Sequence, residues 1–183
     1  VAVIQLKSGS NKAENLVKAK ELLLEACSKQ AKFIALPEVF NLRGIHDESI
    51  ENAEGINSGE TVQLIKKLAA GNQVWILAGS LMIKALDKGG LPYNTSVLVS
   101  DQGEIAATYK KIHLFDMVQS TTQIRESLRN QSGTSPQIAT LSIAGQEYKL
   151  GMSVCYDLRF PELYREYAKE RVELITVPSA FTH

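Results

Sequence analysis

Three polar residues in this sequence of 183 residues are the best candidates for chemistry. Glu38, Lys111 and Cys155 each lie at or just past the end of a short apolar run. In open α/β sheets the carboxyl ends of the strands converge on one crevice, so residues far apart in sequence meet there. We therefore expect a carboxylate, an ammonium and a thiol to share one site.

These three groups are the parts of covalent acyl transfer. The thiolate is the reactive form of cysteine, and we expect Lys111 and the N-terminus of a helix beginning near Pro161 to lower the pKa of Cys155. Glu38 would move protons, and Lys111 would stabilise a developing oxyanion. Each residue also has an ordinary alternative, which is packing for Cys155 and solvation for Glu38 or either lysine.

Other cysteine chemistries fit the sequence less well. A cysteine phosphatase loop needs a glycine-bearing turn and an arginine that cradles phosphate, whereas Asp157 follows Cys155 closely and Arg159 comes too early. Redox chemistry of the paired-cysteine type lacks a second cysteine nearby. The other cysteine, Cys27, lies on the apolar stripe of a predicted helix, where it is expected to pack.

The sequence predicts neither a metal nor a cofactor. His113 and Asp116 have only weak metal-ligand spacing, and no glycine-rich loop that cradles phosphate is present. A papain-like site would need a histidine base. None of the three histidines, His46, His113 and His183, lies in a recognisable signature.

Charge and composition exclude several classes of partner. Lys plus Arg and Asp plus Glu both total 20, so the formal net charge is zero. This balance gives no basis for nucleic-acid or membrane-surface binding. Two cysteines make no disulfide framework and no targeting segment is visible, so we expect a cytosolic protein, with the mitochondrial matrix as an alternative.

Apolar periodicity predicts the elements of a layered α/β domain. The predicted helices cover 11–29, 61–70 and 161–170, with Gly71 ending the second. The predicted strands cover 1–6, 32–36, 74–81, 93–100, 104–109, 138–143, 148–155 and 172–178. Strands that first alternate with helices and then follow one another indicate a single domain, 1–183, with a mixed sheet.

Two segments without clear periodicity are expected to border the site. The connection 40–58 is irregular, and 117–136 is a polar loop or lid candidate with a short helix at 124–128. Because the sequence begins and ends in strand patterns, at Val1 and His183, we expect a piece of a longer protein whose fold is incomplete at the C-terminus.

Three blocks of the sequence resemble, in order and spacing, the signature blocks of the nitrilase superfamily of carbon–nitrogen hydrolases. These blocks are Leu36-Pro-Glu-Val-Phe40, Tyr109-Lys-Lys-Ile-His-Leu-Phe-Asp116 and Gly151-Met-Ser-Val-Cys-Tyr-Asp-Leu-Arg-Phe-Pro-Glu-Leu163. The resemblance is closest to the Nit branch, the small-acid amidases, and it extends over the whole chain.

The resemblance implies an α-β-β-α sandwich with a Glu-Lys-Cys triad. Glu38 corresponds to the family's general base, Lys111 to its catalytic lysine and Cys155 to its nucleophile. A second glutamate that positions the lysine and the substrate corresponds to Glu126, although 118–123 departs from the Nit pattern. The backbone N–H of Tyr156 would complete the oxyanion site with Lys111.

The implied reaction is hydrolysis of a small ω-amide carboxylic acid through a cysteine thioester, with release of ammonia. An α-keto acid amide and deaminated glutathione are the expected kinds of substrate, and a nitrile is a further possibility. The alternative is an inactive truncated chain that serves as a structural or interaction module. Relatives pair through helix layers, which implies a homodimer or a higher homo-oligomer.

Arg159 has two interpretations. Its guanidinium suits a bidentate contact with a substrate carboxylate. An internal ion pair with Asp157 or Glu162 is the alternative.

Overall fold

The computed structural model describes residues 1–43, 51–86, 90–119 and 122–181. The helices are α1 (Lys12–Ser28), α2 (Glu60–Asn72) and α3 (Pro161–Lys169). The strands are β1 (Ala2–Val3), β2 (Phe33–Ala35), β3 (Trp75–Ile83), β4 (Tyr93–Val99), β5 (Ile105–Lys110), β6 (Asp116–Gln119), β7 (Thr122–Arg125), β8 (Gln137–Ile143), β9 (Gln146–Met152) and β10 (Leu174–Thr176). Two short 3-10 helices cover Glu126–Leu128 and Cys155–Arg159.

The strands form two mixed sheets and a separate hairpin. The first sheet has the order β1-β2-β3-β4-β5, with parallel pairing from β1 to β3 and antiparallel pairing from β3 to β5. The second has the order β10-β9-β8, in which β10 and β9 are parallel and β9 and β8 antiparallel. β6 and β7 pair only with each other.

Two apolar cores define the layers. The first lies between α1, α2 and one face of the first sheet, and it includes Leu23, Ile65 and Ile76. The second lies between the two sheets and under α3, where Leu77 and Leu150 are fully buried. These contacts confirm the predicted α-β-β-α sandwich.

Local sequence signals account for the helix starts. The Asn11 side chain accepts a hydrogen bond from the Glu14 N–H at 3.2 Å, which satisfies one of the unpaired donors at the start of α1. α3 begins with Pro161, whose missing N–H costs nothing at the first helical position. The close approach of α3 to β9 requires Gly151, because a Cβ there would lie 2.8 Å from the Tyr167 ring.

Most predicted elements are confirmed to within a few residues, including the β4–β5 hairpin, the helix at 11–29 and the core positions of Trp75 and Cys27. Two predictions are wrong. Gly71 lies inside α2, which ends at Asn72 and is capped by Gln73 in a left-handed conformation with φ 49°. The predicted loop at 117–136 contains the β6–β7 hairpin, whose polar strands lack the alternation that marks a half-buried strand.

His46, His183 and part of the 40–58 connection lie outside the described residues. Within those residues, none of the helices has the length and apolar character needed to cross a membrane.

Candidate active site

Glu38, Lys111 and Cys155 line one cavity of about 450 Å³ at the ends of strands from both sheets. Lys111 Nζ lies 3.1 Å from Glu38 Oε1 and 2.8 Å from Glu126 Oε2. All three residues of the predicted trio are buried, so the solvated alternatives for Glu38 and Lys111 do not hold. Lys110, in contrast, is exposed and lies over the Tyr93 ring at 3.9 Å.

The backbone behind Glu38 is held by an irregularity in β3. The pairing of β3 with β4 shifts register between Ala78 and Leu81, at Gly79-Ser80. Ser80 Oγ there accepts a hydrogen bond from the Val39 N–H at 3.1 Å. Val39 has a positive φ of 45°, which is rare for a β-branched residue and marks strain that the surroundings must stabilise.

Cys155 also has a left-handed backbone, with φ 48°. It follows β9 and begins the 3-10 helix Cys155–Arg159, so the chain turns sharply at the thiol. The Cys155 N–H donates to Pro178 O at 2.9 Å, which fixes the turn. Among the described residues, the other non-glycine positions with positive φ lie at helix ends or in the β8–β9 turn, namely Gln30, Gln73, Ala144 and Arg171. Strain away from such ends is therefore associated with Glu38 and Cys155.

The segment after β10 connects the nucleophile to the carboxylate. While Pro178 accepts from Cys155, the Ala180 N–H donates to Glu38 Oε2 at 2.9 Å. The Ala180 N–H also lowers the pKa of Cys155 through hydrogen bonding, although other effects outweigh it and raise this pKa overall. Arg43 Nη2 donates to Ala180 O at 3.2 Å and holds this segment from the other side.

Glu126 reaches the site through the β6–β7 hairpin. The hairpin returns the chain to Phe115, whose carbonyl accepts from the Glu126 N–H at 3.2 Å. The Phe115 N–H in turn donates to Glu126 Oε2 at 2.7 Å. This placement agrees with the position expected for the second glutamate, although the pattern of the preceding segment does not predict a hairpin.

The two glutamates differ in the hydrogen bonds that they accept. Glu126 receives four: Lys111 Nζ and the Phe115 N–H on Oε2, and the Asn94 and Asn130 amides on Oε1 at 3.4 and 3.2 Å. An ionised carboxylate has about four acceptor positions. Glu126 is therefore saturated and has no lone pair left to take a proton.

Glu38 receives three hydrogen bonds, from Lys111, Asn94 and Ala180. Glu38 and Cys155 line the same cavity, and the charge and the hydrogen bonding of Glu38 raise the pKa of Cys155. Glu38 thus keeps one acceptor position that these three bonds do not use, whereas those of Glu126 are all used.

The pKa of Cys155 is raised to about 11, which contradicts the expectation that it is lowered. Burial is the largest cause and the Glu38 charge the next, and together they outweigh the opposing effect of Lys111. Burial alone would lower the pKa of Lys111, but Glu38 and Glu126 raise it overall. The site therefore holds a neutral thiol beside a charged ammonium, and the thiol needs a base.

A buried aspartate clamps the lysine segment to the turn that carries the nucleophile. Asp157 accepts from Tyr109 Oη at 2.8 Å, from the Val154 N–H at 2.8 Å and from the His113 N–H at 2.9 Å. His113 Nδ1 also lies 2.7 Å from Asp157 Oδ1. Because Tyr109 and His113 flank Lys111, the clamp fixes the lysine relative to Cys155.

Sequence reasoning misses this clamp and the asparagines. It considers Asp157 as a partner of Arg159 and His113 as a weak metal ligand with Asp116, and it does not pair the two with each other. In the structure Asp116 instead bonds to Ser127. The available signal is the spacing of the second and third blocks, in which Tyr109, His113 and Asp157 lie close to Lys111 and Cys155.

Three arginines also line the cavity: Arg43, Arg129 and Arg159. The acidic residues of the lining are Glu38 and Glu126, and both are bonded to Lys111. Arg159 forms no ion pair with any carboxylate of the described chain, so the internal pair with Asp157 or Glu162 is absent there. Among the described lining residues, cationic side chains therefore outnumber carboxylates, on a chain whose net charge is zero.

The chain is an α/β sandwich in which a buried glutamate, lysine and cysteine line one cavity. The chain belongs to the carbon-nitrogen hydrolase family, which it matches along residues 1–183.

Relatives within this family cover nearly all of the chain. It is 34% identical over 191 residues to the deaminated glutathione amidase of Synechocystis sp., covering 99% of this chain and 66% of that protein. It is 36% identical over 183 residues to the omega-amidase NIT2 of Danio rerio, covering 99% and 63%. The crystal structure of the C. elegans NitFhit protein superposes with a TM-score of 0.86 at 31% identity, covering 98% and 43%. The chain thus spans less than two thirds of the length of these relatives.

Proposed function

We propose that the protein is an amidase that hydrolyses the C–N bond of a small ω-amide carboxylic acid through a thioester on Cys155. The observation that carries this proposal is the buried arrangement of Glu38, Lys111 and Cys155 around one cavity. The family membership and the amidase names of the relatives support it. We take residues 1–183 to belong to a single carbon–nitrogen hydrolase domain.

Acylation follows from the protonation states. The neutral Cys155 thiol transfers its proton to Glu38 as sulfur attacks the amide carbonyl carbon. Lys111 Nζ and the Tyr156 N–H donate to the oxyanion that forms, since the first N–H groups of a helical turn have no intrahelical acceptor. The tetrahedral intermediate collapses when Glu38 returns the proton to the nitrogen. The C–N bond breaks, ammonia leaves and a thioester remains.

Hydrolysis of the thioester repeats these steps with water. Glu38 removes a proton from water, the resulting hydroxide attacks the carbonyl carbon, and the same donors hold the oxyanion. The C–S bond then breaks, the proton returns to sulfur and the carboxylic acid leaves. Glu126 takes no proton in either half, because its four acceptor positions are already used by Lys111, Phe115 and the two amides.

The cationic side chains of the cavity lining support an acidic substrate. Arg159 lies on the same 3-10 helix as the nucleophile and lines the cavity. A guanidinium binds a carboxylate in a bidentate geometry, so Arg159 is the proposed anchor for the carboxylate of the ω-amide acid. The names of the relatives, deaminated glutathione amidase and omega-amidase, describe amides of this kind.

A screen of small ω-amides with ammonia release as the readout tests the proposal. The purified chain is incubated with each amide, and intact-protein mass spectrometry follows the acyl adduct. We expect ammonia and a transient adduct on the Cys155 peptide. Cys155→Ala should abolish both, whereas the matched Cys27→Ala variant should retain them because Cys27 packs against the helical core. A folded protein that forms neither product nor adduct would point instead to the non-catalytic module.

Three expectations from the sequence stay predictions. These are the homo-oligomeric state, the cytosolic or mitochondrial-matrix location and the completion of the sandwich by a C-terminal extension. Size-exclusion chromatography with light scattering would measure the first.

A further inference from the structure

Asn94 lies at the centre of the charged cluster. Its main-chain carbonyl accepts from the Lys111 N–H at 2.9 Å, so strand β4 places the two side chains next to each other. Its side-chain amide donates to Glu38 Oε1 at 3.1 Å and to Glu126 Oε1 at 3.4 Å. A single NH₂ group therefore lies between the two carboxylates that share the Lys111 ammonium.

The orientation of the Asn94 amide leaves its buried oxygen without a hydrogen bond. Asn94 is 2% exposed, and no donor of the described chain lies within hydrogen-bonding distance of its Oδ1. The same holds for Asn130, whose amide donates to Glu126 Oε1. Buried acceptors without a partner are uncommon, and each one needs an explanation. Here the explanation is that both amides turn their NH₂ groups toward carboxylates.

The electrostatics of the cluster give the amide a function. Two carboxylates that share a site oppose each other's ionisation, so one of them tends to retain a proton. A protonated Glu38 could not accept the proton of Cys155. The groups that face the pair are Lys111, the Cys155 thiol and the cavity arginines Arg43, Arg129 and Arg159. Asn94 contacts both Glu38 Oε1 and Glu126 Oε1.

We propose that Asn94 is a positioning residue that keeps Glu38 and Glu126 ionised side by side by donating one amide group to both. The effect of Asn94 on turnover rests on the proposed function, in which Glu38 is the base. Asn130 contacts Glu126 alone and serves as the matched control.

The direct measurement is carbon NMR of protein labelled at the glutamate side-chain carboxyls, titrated with acid. Glu38→Gln and Glu126→Gln variants assign the two signals. In Asn94→Leu, the loss of one hydrogen bond to a charged group should move the titration of the Glu38 signal upward by about one pH unit. In Asn130→Leu the Glu126 signal should respond and the Glu38 signal should stay in place.

The isosteric Asn94→Asp variant separates charge from shape. It preserves the volume, removes the NH₂ donor and adds a third carboxyl group. Because like charges oppose each other's ionisation, a proton should bind to the cluster at a higher pH in Asn94→Asp than in Asn94→Leu if position 94 faces both carboxylates. If Asn94 only fills space, the Glu38 signal in Asn94→Leu should stay where it lies in the native protein. That result, or an Asn94→Asp variant that titrates like the native protein, overturns the proposal.

Kinetics give the second readout. In Asn94→Leu, the acid limb of the profile of kcat against pH should shift to higher pH together with the Glu38 signal. At the native midpoint kcat should fall while KM stays the same, because Asn94 acts through Glu38. If the native protein hydrolyses no amide, the proposed function fails, and the NMR titration still decides the role of Asn94. Cys27 alkylation, which becomes fast on unfolding, verifies in each sample that the variant is folded.

Discussion

Glu54 and Glu38 are two buried carboxylates built from similar parts. Glu54 is 6% exposed and pairs with Lys12 at 2.7 Å, the Thr61 N–H at 2.9 Å, the Asn41 amide at 3.3 Å and the Thr61 hydroxyl. Three of these contacts lie on Oε1 and one on Oε2, and they tie α1 to the start of α2. Glu38 also pairs with a lysine and an asparagine, but it lines a cavity together with a thiol.

The comparison shows that burial and a lysine partner do not make a carboxylate reactive. Lys12 forms an ion pair with Glu54 and is 22% exposed, and its Nζ lies 3.6 Å from Glu60 Oε2. Lys111 is 3% exposed and lies within 3.1 Å of two buried or nearly buried carboxylates. A buried carboxylate whose neighbours are a helix start and a lysine is an anchor, whereas one that shares a cavity with a thiol is placed to act as a base.

Substitution of the two glutamates gives the largest expected contrast. Glu38→Gln should lower kcat/KM for amide hydrolysis by roughly 100- to 10,000-fold, because general-base catalysis is lost. Glu54→Gln should instead cost about 1–3 kcal/mol of unfolding free energy and leave the rate per folded molecule close to native. Rates normalised to the folded fraction, together with urea unfolding, measure both. Equal losses of rate in the two variants would remove the distinction.

The lysines provide the next contrast. Lys111→Met should reduce hydrolysis by about 100- to 1,000-fold, since it removes an oxyanion donor. Lys12→Met should reduce stability by roughly 1 kcal/mol, because Lys12 is partly exposed, and the rate should change little. Steady-state kinetics and thermal unfolding of the two variants measure these effects. A large loss of rate in Lys12→Met, or none in Lys111→Met, would contradict the assignment.

Thiol alkylation tests whether Glu38 raises and Lys111 lowers the pKa of Cys155. The Glu38 charge raises the pKa of Cys155, so Glu38→Gln should lower it and increase the alkylation rate at a pH below about 11 by about tenfold. Lys111→Met should act in the opposite direction, because Lys111 lowers the pKa of Cys155. Peptide mapping after exposure to a neutral alkylating agent follows Cys155, with Cys27 as the internal reference. Slower alkylation in Glu38→Gln would contradict this order.

The smallest expected effect on hydrolysis lies in the Asp157 clamp. Tyr109→Phe removes one hydrogen bond to a buried carboxylate, which should cost about 1.5–3 kcal/mol of stability. The pKa of Tyr109 is raised, first by burial and then by Asp157, so the phenol remains the donor. Hydrolysis should decline less than in Lys111→Met, since the His113 and Val154 bonds to Asp157 remain. A rate loss as large as that of Lys111→Met would assign Tyr109 a direct part in the chemistry.

The sequence predicts a layered α/β domain and the convergence of the trio because both depend on regular patterns, whereas the α-β-β-α sandwich is predicted through the resemblance. Apolar runs locate the strands, and parallel strand ends converge whatever the intervening residues are. The prediction for the thiol pKa has the wrong sign, since a sequence shows that Lys111 is available but shows neither the burial of Cys155 nor the proximity of Glu38.

The asparagines and the β6–β7 hairpin escape prediction for a related reason. Asn94 and Asn130 carry no charge and match no catalytic signature, so their importance depends on which atoms face Glu38 and Glu126. The hairpin has polar strands that pair only with each other, and periodicity detects strands that bury one face. Glu126 is located through the resemblance alone.

The contact between Ala180 and Glu38 joins residues 142 positions apart, and that between Lys111 and Glu38 joins residues 73 apart. Contacts over such separations form late, because a long loop must close before they stabilise anything. During synthesis, the glutamate and the lysine emerge well before the segment 178–180 that completes their surroundings. Because Pro178 accepts from Cys155 and Ala180 donates to Glu38, the thiol and the carboxylate reach their final arrangement only when that segment has docked.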